Sequence, residues 1–169
     1  MKKDNIVLIG MPGVGKSTVG VILAKVLGFQ FVDADLVIQE KEGKLLREII
    51  AEEGPDGFIA VENRINSEIE AHHSVIATGG SVVYGKEAME HLRQIGTVIY
   101  LKLDYADIDR RLSDINGRGV LKDGQTLKDL YDERVVLYEK YADITIAEDG
   151  LNVEQTIEKI VAQIQKESL

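Results

Sequence analysis

The sequence contains no cysteine, which excludes a disulfide framework and any site built on thiolate ligands or thiol redox chemistry. No apolar run approaches the roughly 18 residues that cross a bilayer. Met1-Lys2-Lys3-Asp4 leads into a short apolar strand and not into a secretory leader. There are two prolines, and no repeat, linker or low-complexity stretch divides the chain. Positive charge is also scarce: 20 Lys and Arg stand against 29 Asp and Glu, for a net charge of −9. A surface of that sign repels nucleic acid and anionic lipid. It also repels phosphate- and carboxylate-bearing ligands, so holding one requires a few cations gathered at one place. With 169 residues and 44% hydrophobic content, the chain is long enough to bury one core. The expectation is a single cytoplasmic, monomeric domain over 1–169, with neither nucleic acid nor membrane as a partner.

Short β-branched runs alternate with longer helical ones. Strands are expected at Ile6–Ile9, Gln30–Val32, Ser74–Ala77, Val98–Leu101 and Asp143–Ile146. All are short and mostly apolar, as in a parallel sheet buried on both faces. Helical patterns fill the intervals at Ser17–Leu27, Leu36–Glu42, Leu45–Glu53, Asp56–Ala71, Lys86–Gln94, Ala106–Leu112, Thr126–Tyr141 and Val153–Lys166. This alternation predicts a doubly wound α/β fold. The helical stretch over about 36–72 exceeds one crossover and reads as a flap beside the sheet. The glycine-containing segment over about 115–125 reads as a mobile loop.

Gly10-Met11-Pro12-Gly13-Val14-Gly15-Lys16-Ser17 matches G-x-x-x-x-G-K-[ST] between an apolar strand and an amphipathic helix, the context its chemistry requires. Glycines let the backbone N–H groups wrap a phosphate, and the helix N-terminus adds a favourable dipole. Lys16 is then placed to reach the β- and γ-phosphates and Ser17 to ligate Mg²⁺. No guanine-reading N-K-x-D follows, so ATP is the expected nucleotide. A chain this short fits a small-molecule kinase better than a motor or transporter ATPase.

Asp33-Ala34-Asp35 closes the second strand at the sheet edge where ligands of open α/β folds bind. Alternate spacing puts both carboxylates near that edge, one to hold Mg²⁺ and one to orient a substrate hydroxyl. Capping of the following helix is the plain structural role for either, and it is compatible with catalysis.

From these residues onward the chain resembles the shikimate kinases over nearly its whole length. The resemblance is carried by Gly10–Thr18, Asp33-x-Asp35, Phe58-x-x-x-Glu62, Thr78-Gly79-Gly80, Arg118, and Arg134-Val135-Val136-Leu137-Tyr138, which matches R-x-x-L-Y. It implies a five-stranded parallel P-loop kinase fold with a substrate flap and an ATP lid, and transfer of the γ-phosphoryl of ATP to a hydroxyl of shikimate. It further implies ATP held by Gly13, Val14, Gly15, Lys16, Ser17, Thr18 and Arg111, and Mg²⁺ held by Ser17 and Asp33. Substrate is then held by Asp35, Gly79, Gly80 and Arg134, with Lys16, Asp35 and the lid residue Arg118 as the catalytic set. For Arg111 a solvated helix charge beside Arg110 is an equal alternative on the residues alone.

Three positions depart from the family pattern. The arginine of F-R-x-x-E is Ile59, the third glycine of G-G-G is Ser81, and the lid R-P-L-L is Arg118-Gly119-Val120-Leu121. Losing one of two charge-assisted bonds to a carboxylate costs about 1.5–3 kcal/mol. Glu62 is then left without its usual partner, and Arg134 is the candidate replacement. Arg64 lies about 140° round the same helix from Ile59 and does not share its face, while Arg47 and Lys44, in the preceding flap helix, reach the pocket only through tertiary placement. Two readings compete with a shikimate kinase: a kinase of another small hydroxylated substrate, and an ATP-binding regulatory protein without turnover. His72-His73 lacks a third ligand at metal spacing and reads as a helix end. Tyr131, Tyr138 and Tyr141 read as helix packing, as does the Val153, Ile157, Ile160, Val161, Ile164 stripe.

Overall fold

The computed structural model describes residues 3–113 and 124–167. Five strands, β1 (Asn5–Ile9), β2 (Gln30–Asp33), β3 (Ser74–Ala77), β4 (Gly96–Lys102) and β5 (Ile144–Ala147), form one sheet. Its order is β2-β3-β1-β4-β5, and every pairing is parallel. Each strand expected from the sequence is present, with ends shifted by two residues at most.

Burial on both faces holds only for the middle of the sheet. β1 and β3 are buried throughout, whereas the edge strand β2 is partly exposed and β5 alternates buried with exposed residues. An edge strand has one neighbour and incomplete helical cover, so half its side chains meet water.

Seven helices are found among the described residues: α1 (Lys16–Leu27), α2 (Ala34–Glu42), α3 (Leu46–Ser67), α4 (Lys86–Ile95), α5 (Tyr105–Ser113), α6 (Leu127–Tyr141) and α7 (Val153–Glu167). α3 is two helical segments divided at Gly54 (φ 73°, ψ 173°), followed by Pro55. This is the break expected between Glu53 and Asp56, since proline removes a helical N–H donor and glycine adopts positive φ without strain. Its second segment stops at Ser67, short of Ala71. His72 and His73 therefore lie in the turn into β3, within 3.4 and 3.9 Å of the Asp4 carboxylate.

The main core lies on both faces of the central strands. α2 and α3 enclose a second, separate apolar cluster of Ile38, Ile49, Phe58 and Ile65. The flap thus carries a core of its own, and Leu46, Ile50 and Phe58 turn toward the carboxyl ends of the strands. Residues 115–123 of the expected lid, with Arg118, Gly119, Val120 and Leu121, lie outside the described residues.

Candidate active site

β1 delivers the chain into the glycine loop at the middle of the sheet's carboxyl edge. Gly10 has φ 152°, and a Cβ there would sit 2.7 Å from the Leu101 carbonyl oxygen, so only glycine passes this close to β4. Gly15 caps α1 in the left-handed region at φ 86° and offers no side chain to the first-turn N–H groups. Those donors, on the residues around Lys16, Ser17 and Thr18, are left for an anion, with the helix dipole behind them. Val14 is buried behind the loop.

Lys16 is folded back on its own loop. Its Nζ donates to the Gly10 carbonyl at 2.7 Å and the Met11 carbonyl at 2.9 Å. An ammonium has three donors, which leaves one for the adjoining cavity. Burial pushes its pKa down to about 8.

That cavity, about 500 Å³, is bounded on one side by the loop and Lys16, Ser17 and Thr18. Asp35, Glu62, Gly79, Gly80, Ser81 and Arg134 form the opposite side, and Leu46, Ile50 and Phe58 an apolar wall. Every expected site residue within the described chain except Asp33, Val14 and Arg111 lines it.

Asp33 and Asp35 do not project side by side from one strand, as alternate spacing suggested. Asp33 ends β2 and caps α2: its Oδ1 accepts from the backbone N–H of Asp35 at 3.0 Å and of Leu36 at 3.4 Å. α2 consequently begins at Ala34, two residues earlier than expected, and Asp35 projects from its first turn. Burial, then the Asp33 charge, raises the Asp35 pKa, with Lys16 opposing.

Gly79 is wedged between two carboxylates. A Cβ on it would lie 2.8 Å from Asp35 Oδ1 and 2.9 Å from Glu62 Oε2, and one on Gly80 would lie 2.9 Å from Arg134 Nη1. The Tyr138 hydroxyl, read from the sequence as helix packing, donates to the Gly80 carbonyl at 2.6 Å, although its ring also stacks on Tyr100.

Arg134 and Glu62 are each 1% exposed. The pairing between them that the sequence suggested is not formed. Glu62 Oε1 accepts from the Ser81 hydroxyl at 2.6 Å, while Glu62 Oε2 and Arg134 Nε have no partner. The guanidinium lies 5.4 Å from the Tyr84 ring centroid. Burial pushes the Glu62 pKa up to about 7. None of the flap cations reaches the cavity: Arg64 pairs with Glu42 and Lys44 with Glu52 at the surface, both at 2.6 Å, and Arg47 is exposed. Lys16 and Arg134 are the cations among the described residues that line it.

A second cavity of about 140 Å³ opens on the other side of the loop, lined by Val14, Thr18, Arg111, Glu148, Asn152 and Thr156. Arg111 donates to the Gly13 carbonyl at 2.8 Å, so it is no solvated helix charge. Glu148, which the sequence reading passed over, is buried, with Oε2 unpartnered and a pKa pushed up to about 7 by burial. Its position just beyond β5 on the carboxyl edge of the sheet was the available signal.

Residues 12–165 match the family model described as shikimate kinase. A shikimate kinase of Thermodesulfovibrio yellowstonii is 38% identical over 166 residues, covering 96% of this chain and 95% of that protein. Among solved structures, the shikimate kinase of Acinetobacter baumannii in complex with shikimate superposes with a TM-score of 0.87 at 32% identity, over 99% of this chain and 96% of that one. The shikimate kinase of Aquifex aeolicus gives 0.81 at 30% identity, with 98% of each chain covered. With its glycine loop, carboxylate-flanked glycine turn and buried guanidinium arranged around one cavity, the chain belongs to the shikimate kinase family.

Proposed function

We propose that this protein transfers the γ-phosphoryl of ATP to a hydroxyl of shikimate. The observation that carries it is a buried guanidinium, Arg134, ion-paired with no carboxylate among the described residues, across one cavity from an uncapped phosphate-binding helix end. A charge at that depth is costly without a counter-ion, and a small carboxylate seated in the cavity supplies one. Asp35 lines the same cavity and is the carboxylate to meet a hydroxyl on the same molecule, while Leu46, Ile50 and Phe58 receive the apolar part of its ring.

In the transfer, the substrate hydroxyl gives its proton to Asp35 as its oxygen bonds to the γ-phosphorus, and the bond from that phosphorus to the bridging oxygen breaks, releasing ADP. A carboxylate whose pKa is raised by burial is a better base than an exposed one. Lys16 and the α1 N–H groups hold the charge of the β- and γ-oxygens, while Arg111 flanks the cavity suited to the base. The role of a cation at the transferring phosphate is assigned to Arg118 on the family resemblance alone. Ser17, at the start of α1, and Asp33, at the end of β2, would supply hard oxygen donors of the kind Mg²⁺ takes, the ion completing its shell with phosphates and water. When bound, the ion supplies charge neutralisation to the phosphates.

Ile59 favours one alternative, a hydroxylated substrate of lower negative charge, because among the described residues Arg134 supplies the one guanidinium that lines the cavity. A coupled assay of ADP release tests both. ATP turnover should depend on shikimate, with a singly phosphorylated shikimate identified by mass spectrometry, and Lys16→Ala should abolish it in a folded protein. Turnover with neutral polyols and none with shikimate overturns the assignment.

A further inference from the structure

Two buried, oppositely charged side chains share this cavity and stay apart. Glu62 and Arg134 are near enough for the guanidinium to lower the Glu62 pKa, yet no ion pair joins them, and each keeps an unpartnered polar atom. What holds Glu62 instead is Ser81, itself 5% exposed, standing at the start of the short 3₁₀ turn Val82–Tyr84. With Oε1 held by this bond of 2.6 Å, Oε2 lies against Gly79, where Asp35 Oδ1 also approaches.

We propose that Ser81 is a positioning residue for substrate binding: by holding the Glu62 carboxylate against the glycine turn, it keeps Glu62 from capturing Arg134 and leaves the guanidinium available to an anionic group of the substrate. This rests on the assignment of shikimate as the substrate. Buried away from water, an unrestrained carboxylate moves to the nearest cation, because the pair relieves two desolvation penalties at once. A guanidinium already paired in this way has little left to offer a substrate carboxylate. The groups facing Glu62 are Asp35 from α2, Lys16 from α1, Arg134 from α6 and Ser81 from the glycine turn, and of these only the Ser81 hydroxyl is hydrogen-bonded to it. Serine where the family has a third glycine thus acquires a role that glycine cannot fill. The hydroxyl is also the donor Glu62 takes in a chain whose arginine position is Ile59.

The test compares Ser81→Ala, Ser81→Gly and Ser81→Thr with the parent protein. Removing the hydroxyl should raise the KM for shikimate about tenfold or more, leave the KM for ATP within about twofold, and change kcat less than KM. Ser81→Thr should behave like the parent. Ser81→Ala combined with Glu62→Gln should recover much of the lost affinity, because a neutral amide cannot neutralise the guanidinium. A crystal structure of the Ser81→Ala or Ser81→Gly protein should show Glu62 within ion-pair distance of Arg134, about 4 Å. A KM for shikimate that stays unchanged in a folded hydroxyl-less variant overturns the proposal, as does an equal rise in both KM values or a Glu62 that has not moved. The crystallographic outcome does not depend on the substrate, so failure of the parent protein to phosphorylate shikimate counts against the assigned activity and not against the role of Ser81.

Discussion

The Tyr138 hydroxyl reaches across from α6 to the Gly80 carbonyl at 2.6 Å, joining the helix that carries Arg134 to the turn that carries Gly79 and Ser81. Arg134 and Tyr138 are four residues apart and so share a helix face. One face therefore both presents the cation and anchors the backbone opposite it. Tyr138→Phe removes the anchor and leaves a carbonyl unsatisfied, at a cost of about 1–3 kcal/mol. The expected result is a lower Tm and a several-fold higher KM for shikimate, with the KM for ATP unchanged, measured by thermal unfolding and steady-state kinetics.

Gly79→Ala introduces a methyl at less than 3 Å from carboxylate oxygens of both Asp35 and Glu62. Both are ends of side chains, so the fold gives way more easily than the chemistry. Destabilisation of about 1–3 kcal/mol is expected, with kcat falling by at least an order of magnitude as Asp35 is displaced. A variant with parental kcat would show that Asp35 does not need its present position.

Position 59 follows Phe58, which lines the cavity, and precedes Glu62 by three residues on the same helix segment. Ile59 itself is half-buried and does not line the cavity, so the test is whether an arginine from this position extends into it. Ile59→Arg supplies a second guanidinium, worth about 1.5–3 kcal/mol to a bound carboxylate, and should lower the KM for shikimate by about tenfold. An unchanged or higher KM would mean that Arg134 alone already saturates the carboxylate.

Glu62 makes stability depend on pH in an unusual direction. Its folded pKa of about 7 lies above the ordinary 4.5, so between these values the folded protein binds a proton that the unfolded chain has released. Stability contributed by the protonated form is present below about pH 4.5 and is lost as pH rises toward 7. Glu148 acts with the same sign. Glu62→Gln, which keeps an acceptor for Ser81, should raise Tm at pH 8 and have little effect at pH 4.5, with a limiting gain of about 3 kcal/mol. Equal Tm differences at the two pH values would show that Glu62 ionises normally.

Much of this protein is written locally and could be read locally. The order of strands and helices follows from short apolar runs and capping signals. The break in α3 follows from Gly54-Pro55, and the glycine loop from eight consecutive residues whose backbone requirements only that sequence meets. The Asp33-Ala34-Asp35 segment was legible because it closes a strand at the carboxyl edge that this fold uses, and Arg134 because it opens an R-x-x-L-Y match. Which partner each of them takes was decided by tertiary structure. The Asp33 cap is local and was foreseen, but Arg111 turned out to bond the Gly13 carbonyl 98 residues away and Tyr138 to hold Gly80 across 58. The expected pairing of Glu62 with Arg134 gave way to Ser81, 19 residues distant. Sequence spacing fixes the direction of a side chain only within its own element. When several candidates of suitable charge converge on one buried cavity, distance and desolvation choose among them, and both arise only when the elements pack.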